Sequence, residues 1–106
     1  MIVGAALIEM HVHGSQSLKA KRGVVRSIVA RVRNRFNLAI AEVGGQGTWQ
    51  SVQLGLSAAG SDAKIVRSQL QKAIDFVDGL GLAEVLDSDI ELLEMPHEAP
   101  LETEED

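Results

Sequence analysis

Four segments of the chain are rich in apolar residues that recur at every second position, the period of a β-strand, and the first of them is apolar on both faces as far as Ile8. They are residues 2–12, 38–43, 49–59 and 83–95. In two other segments, apolar residues recur every three or four positions, which is the spacing of a helix that covers a core. These helical segments are residues 18–36 and 62–79. The pattern therefore predicts the order strand, helix, strand, strand, helix, strand.

This order divides the chain into two strand–helix–strand units. Right-handed crossovers close two such units into a four-stranded antiparallel sheet with both helices on one face. The predicted fold class is therefore a ferredoxin-like α+β sandwich of βαββαβ order, in which the opposite face of the sheet stays open. In the fourth strand, Leu86, Ile90 and Leu92 are expected to face the core.

The first helix carries most of the positive charge of the chain. Seven of the ten Lys and Arg residues lie in it, and no acidic residue occurs between Glu9 and Glu42. A helical wheel places Lys19, Arg22, Arg26 and Arg33 on one flank of the apolar stripe, and Lys21, Arg31 and Arg35 on the other. The residues between the two flanks, furthest from the core, are small or uncharged.

Such a cationic surface of low relief would let a phosphate backbone approach closely and bind with sequence-independent, salt-dependent affinity. The sequence thus predicts a nucleic-acid-binding helix. The alternative is a solvated helix whose long side chains cover the edge of the core and pair with acids on the fourth strand. The sequence leaves both interpretations open.

The formal charge of −5 conceals an uneven distribution of acidic residues. Residues 96–106 contain five acids and no Lys or Arg, which leaves ten acids and ten Lys or Arg residues in residues 1–95. We therefore predict a neutral ferredoxin-like domain over 1–95 and an acidic, disordered tail over 96–106.

Composition also excludes several classes of protein. The absence of cysteine rules out disulfides and thiolate chemistry. The longest apolar run, Ile2–Ile8, is too short to cross a bilayer. No Lys or Arg precedes it and no small-residue cleavage site follows a hydrophobic segment, so a secretory signal is not expected. The expected location is the cytoplasm, with no membrane partner.

Few residues are candidates for catalysis or metal binding. Glu9, His11 and His13 share one face of the first strand, but residues two apart on a strand are about 7 Å apart, too far for one ion without help from loops. No nucleophile is paired with a base in the sequence. We therefore expect a protein that is not an enzyme, with no catalytic residues, no metal and no cofactor.

A second surface is predicted on the open face of the sheet. Val3, Ala5 and Leu7 project from it and, with small side chains of the third strand, form a mildly apolar surface. Stacking two sheets would cover this surface, so a homo-oligomeric interaction module, a dimer, is the alternative function. Trp49, beside a glycine-rich turn, is either partly buried in the domain or a contact anchor for a partner.

Four sequence motifs, taken together, resemble a known family. They are Ser17-Leu18-Lys19-x-Lys21-Arg22, Arg33-Asn34-Arg35-Phe36-Asn37, Ala41-Glu42-Val43-Gly44 and Trp49-Gln50. This set resembles the bacterial YlxP-like family of small ferredoxin-like proteins, a domain of unknown function. The resemblance implies the fold and a bacterial cytoplasmic setting. Genes of this family often lie beside those for transcription and translation factors, which suggests RNA or the ribosome as a partner. The family supplies no catalytic residues to carry over.

Overall fold

The computed structural model describes residues 1–14, 16–45 and 48–96. Its elements are β1 (Ile2–His11), α1 (Leu18–Arg35), β2 (Ala39–Gly44), β3 (Ser51–Gly60), α2 (Ala63–Gly79) and β4 (Glu84–Glu94). The sheet is antiparallel throughout, in the order β2-β3-β1-β4. The predicted ferredoxin-like fold is confirmed. Apart from Pro96, the acidic tail predicted over 96–106 lies outside the described residues.

Each helix begins at a polar residue that caps its first turn. The Ser17 hydroxyl accepts a hydrogen bond from the Ala20 N–H at 3.0 Å, and the Asp62 carboxylate accepts one from the Lys64 N–H at 2.8 Å. Both bonds satisfy N–H groups that have no partner within the helix. Within the described residues, neither helix combines the length and the apolar composition needed to span a membrane.

The core lies between the sheet and the two helices. Helix α2 packs over β1, β3 and β4, whereas α1 packs over the edge strand β2 and beside α2. Gly4 permits the close approach of α2, because a Cβ atom at this position would lie 2.7 Å from side-chain atoms of Leu70 and Val66. Ile8 and Leu54 are fully buried in the centre of this core.

The prediction that Leu86 faces the core is wrong. Glu9 pairs with Asp87 whereas the next residue, Met10, pairs with Val85, so Leu86 is the extra residue of a β-bulge. A bulge shifts the two-residue alternation of side chains by one position. Val85 therefore packs against the core and Leu86 is exposed. Beyond the bulge, Ile90 and Leu92 pack against the core as predicted.

Candidate phosphate-binding surface on the first helix

Helix α1 buries one stripe and exposes most of its cations. Val25, Ile28 and Val32 form the buried stripe. At 3.6 residues per turn, four exposed cations project within an arc of about 60° on one flank of this stripe. We call them the cationic row: Lys19, Arg22, Arg26 and Arg33. At 1.5 Å per residue, the row is about 21 Å long.

The cationic row follows the free edge of the sheet. Arg33 Nη2 donates a hydrogen bond of 3.2 Å to the Ile40 carbonyl of β2, which places this flank of α1 beside β2. Among the described residues, strand β2 pairs with β3 alone, so none of the described strands covers the row. A guanidinium group has five N–H donors. Arg33 therefore retains donors for a ligand while its position is fixed by the sheet.

Two further cations lie on the opposite flank, towards α2. The Arg35 guanidinium carbon lies 5.1 Å from the centre of the Phe76 ring, in a cation–π arrangement. Arg31 Nε donates to the Ser27 hydroxyl at 3.2 Å. Both side chains are exposed. They border the same outer surface of α1 as the cationic row does.

The outer surface between these flanks has low relief. Gly23 and Ala30 lie there, together with Asn34, and all three are exposed. A Cβ atom built on Gly23 would meet nothing within 4 Å. A phosphodiester chain could therefore come close to the helix backbone while cations contact it from both sides.

Within the described part of the chain, Lys21 is the only cation of α1 that has a carboxylate within 4.0 Å. The α1 cations do not pair with the acids of the fourth strand, which was the alternative interpretation. Helix α1 covers β2, whereas β4 forms the opposite edge of the sheet. The exposed cations of α1 and the acids of β4 are thus separated by the width of the sheet. This separation leaves the cationic row electrostatically available to an anion.

The prediction that Lys21 belongs to the phosphate-binding surface is wrong. Its side chain is 1% exposed, and its ammonium group donates to the carbonyl oxygens of Gly45, Thr48 and Ser51, the last two at 2.7 and 3.0 Å. An ammonium group has three N–H donors, so all are used. The Glu42 carboxylate, 3.5 Å away, offsets the buried charge. Lys21 is therefore unavailable to a ligand.

Lys21 instead links α1 to the connection between β2 and β3 through hydrogen bonds. The backbone carbonyls that it binds belong to Gly45 and Thr48 in this connection and to Ser51 at the start of β3, and they would otherwise need other donors. Gly45 has a φ of +81°, which turns the chain where a side chain would be strained. A Cβ atom on Gly45 would also lie 2.3 Å from the Ser51 carbonyl oxygen.

The residues predicted for the second surface are accessible. Ala5 and Leu7 are exposed on the open face of the sheet, and Val3 is half-buried there. Trp49 does not belong to β3, which begins at Ser51. It lies in the connection between β2 and β3, and 55% of its surface is exposed. The position of Trp49 leaves most of its ring free to contact a partner.

The histidine-containing end of β1 does not assemble into a metal site. His13 Nε2 lies 2.6 Å from a carboxylate oxygen of Glu84, whereas Glu9 accepts a hydrogen bond from Gln53 at 3.0 Å. The His11 and His13 rings pack edge to face, with centroids 4.3 Å apart. Among the described residues, no three His, Asp or Glu side chains are placed to hold one ion.

Comparison with known proteins identifies the family of this chain. The family described as "Protein of unknown function (DUF503)" matches residues 3–90. The uncharacterized protein YlxP of Bacillus subtilis (strain 168) is 38% identical over 77 residues, which are 73% of this chain and 84% of that protein. SnoaB, a cofactor-independent oxygenase from Streptomyces nogalater, superposes with a TM-score of 0.50 at 12% identity, over 95% of this chain and all of SnoaB. At that identity, the likeness to SnoaB concerns the fold alone. The family match and the identity to YlxP place this chain in the DUF503, or YlxP-like, family.

Proposed function

We propose that this protein is a non-enzymatic accessory protein that binds RNA, free or in the ribosome, by its phosphate backbone. The binding surface is the outer side of α1, with the cationic row as its centre and Arg31 and Arg35 on the far flank. The observation that carries the proposal is the separation of the exposed α1 cations from the acids of β4. Six exposed cations of one helix lack a carboxylate within 4.0 Å among the described residues.

The length of the row suits a polyanion better than a small anion. A row of about 21 Å is far longer than one phosphate group, and its members follow the helix at intervals of three, four and seven residues. Several point contacts along a strand neutralise several phosphates at once and release their counterions. This arrangement favours a chain of phosphates as the ligand.

The sheet supports recognition of the backbone rather than of the bases. RNA-binding domains of this topology stack bases on aromatic side chains of the central strands. The open-face residues of β1 and β3 include Leu7, Gln53 and Gly55, none of which can stack a base as an aromatic ring does. Binding through α1 should therefore show little preference for sequence.

The proposal is tested with fluorescence anisotropy on a labelled single-stranded RNA of mixed sequence. The test variant is Arg22→Gln/Arg26→Gln, which removes two members of the row. The matched control is Lys64→Gln/Arg67→Gln, which removes the same net charge from exposed positions of α2. We expect the α1 variant to bind at least about tenfold more weakly, equivalent to about 1.4 kcal/mol, and the control to bind nearly as well as the parent.

Equal losses in the two variants would mean that net charge alone governs binding, and would contradict a site on α1. Binding too weak to saturate in the parent protein at low salt would contradict the proposal as a whole. Cosedimentation with ribosomes, before and after nuclease treatment, then distinguishes free RNA from the assembled ribosome as the ligand.

A further inference from the structure

On the open face of the sheet, β1, β2 and β3 carry mostly small or apolar residues, with Glu9 at one end of β1, whereas β4 carries three acids beside Leu93. The strand registers align its side chains in rows across the sheet. One row consists of Ala41, Gly55, Leu7 and Asp89, from β2 to β4. The next consists of Ala39, Ser57, Ala5 and Glu91. The acidic ends of both rows lie on β4, and Asp87 continues the same acidic line.

Large apolar side chains stand on this face without cover. Leu7 is 40% and Leu93 61% exposed, and Val43, also exposed, lies over Gly55. The other apolar residues of the two rows are small, so the surface is flat enough for another sheet to pack against it at about 10 Å. Four strands at about 4.8 Å and ten residues at about 3.3 Å give a face of about 600 Å². Two such faces approach the lower end of specific interfaces, about 1,200 Å² in total.

The distribution of charge decides which partner and which orientation fit. A two-fold axis across the strands would place β4 on β4 and bring two acidic lines together. An axis parallel to the strands, between β1 and β3, places β4 of each copy opposite β2 of the other. Strand β2 has no charge on its open face, since Ala39, Ala41 and Val43 project there. Self-association is therefore compatible with the acids in one orientation only.

The Arg33 side chain lies at the edge of β2, at the same height along the strands as the β4 acids that this orientation would bring there. Arg33 binds the Ile40 carbonyl, and Ile40 lies in the cross-strand row that ends at Ile90 on β4. Arg33 is thus level with the interval between Asp89 and Glu91 of a second copy. The attraction between opposite charges at this edge favours the parallel-axis arrangement. The remainder of the cationic row points away from the contact and stays available.

We propose that the open face binds a second copy of this chain, in a symmetric dimer whose two-fold axis runs parallel to the strands. At its centre, Leu7 of each copy packs against Gly55 and Val43 of the other. Asp89 and Glu91 of each copy face Ala41 and Ala39 of the other. The dimer would carry one α1 surface on each outer side.

Cross-linking tests the orientation, because the chain has no cysteine and each introduced thiol is unique. Single variants Ala41→Cys and Asp89→Cys are mixed and treated with a short bis-maleimide, one of them carrying a tag that changes its mass. We expect a cross-link between the two different variants and little between two copies of Asp89→Cys. Cross-linking of Asp89→Cys to itself, or of no pair, would overturn the proposed arrangement.

Sedimentation velocity tests the dimer itself. Leu7→Glu places a charge at the centre of the proposed interface, whereas the control Ile65→Glu changes an exposed apolar residue on α2. We expect the parent and Ile65→Glu to be dimers. The dissociation constant of the Leu7→Glu dimer should be at least about tenfold higher than that of the parent. A parent protein that is a monomer at high concentration, or Leu7→Glu and Ile65→Glu behaving alike, would overturn the proposal. Neither result depends on RNA binding. The dimer proposal can therefore be overturned without affecting the proposal that α1 binds RNA, and the reverse also holds.

Discussion

Replacement of Lys21 by methionine tests how the connection between β2 and β3 is held. Methionine keeps an unbranched stem of similar size and removes the ammonium group. The carbonyl groups of Gly45, Thr48 and Ser51 then lose their common donor, and Glu42 loses its nearby positive charge. The substitution therefore removes the interactions of the charge while largely keeping the packing.

The expected cost follows from the burial of the group. Hydrogen bonds with a charged partner contribute about 1.5–3 kcal/mol each, but three of them do not add, because water reaches the carbonyl groups once the ammonium group is gone. Removing one partner of a buried ion pair costs about 3–5 kcal/mol. Since Glu42 is partly exposed, we expect the lower value, a loss of about 3 kcal/mol in the free energy of unfolding. In a domain of this size, such a loss lowers Tm by about 15 °C.

The assay is urea unfolding, monitored in parallel by circular dichroism and by tryptophan fluorescence. Trp49 is the only tryptophan of the chain, so its emission reports the connection itself. Lys19→Met is the matched control, because the same substitution at an exposed position of α1 should change the free energy of unfolding by less than about 0.5 kcal/mol. An effect of Lys21→Met no larger than that of Lys19→Met, with unchanged Trp49 emission in the folded state, would refute the role of Lys21.

Three further substitutions test the packing and the helices. Gly4→Ala forces a methyl group against Leu70 and Val66 and should cost about 1–3 kcal/mol, measured by urea unfolding; an unchanged midpoint would contradict the close approach of α2. Gly23→Ala meets open space on α1 and should raise the free energy of unfolding by about 0.5–1 kcal/mol, with a rise in Tm as the measurement. Ser17→Ala removes the cap of α1 and should cost about 1 kcal/mol in the same assay, a loss that Ser17→Asn should largely avoid.

Most of the fold could be predicted from the sequence, because its signals are local and consistent. The two-residue and 3.6-residue periods fix the type of each element, and the order βαββαβ with right-handed crossovers leaves few topologies. Ser17 and Asp62, which cap the two helices, are of the residue types favoured at a helix start. Leu86 was predicted to face the core but is exposed, because a bulge opposite Glu9 and Met10 shifts the alternation. The bulge depends on pairing with β1, so the local sequence does not indicate it.

The candidate site was predicted less completely, because burial depends on what covers a residue. Lys21 shares the spacing of Val25 and Ile28, so its position within the apolar stripe was already visible in the sequence. The helical wheel nevertheless assigned it to the flank of Arg31 and Arg35, because a lysine is usually exposed. The carbonyl groups that it binds lie 24 to 30 residues further along the chain and come together only in the folded domain.

The central claim, that the cationic row of α1 binds a phosphate backbone, is tested most directly by the dependence of RNA affinity on salt. For a single-stranded RNA, the logarithm of the association constant should fall linearly with the logarithm of salt concentration, with a slope of about −3 if four phosphates are neutralised. Arg26→Gln should make this slope less steep by about 0.7, whereas Arg67→Gln on α2 should leave it unchanged. A slope near zero for the parent protein, or one that Arg26→Gln does not alter, would contradict the claim.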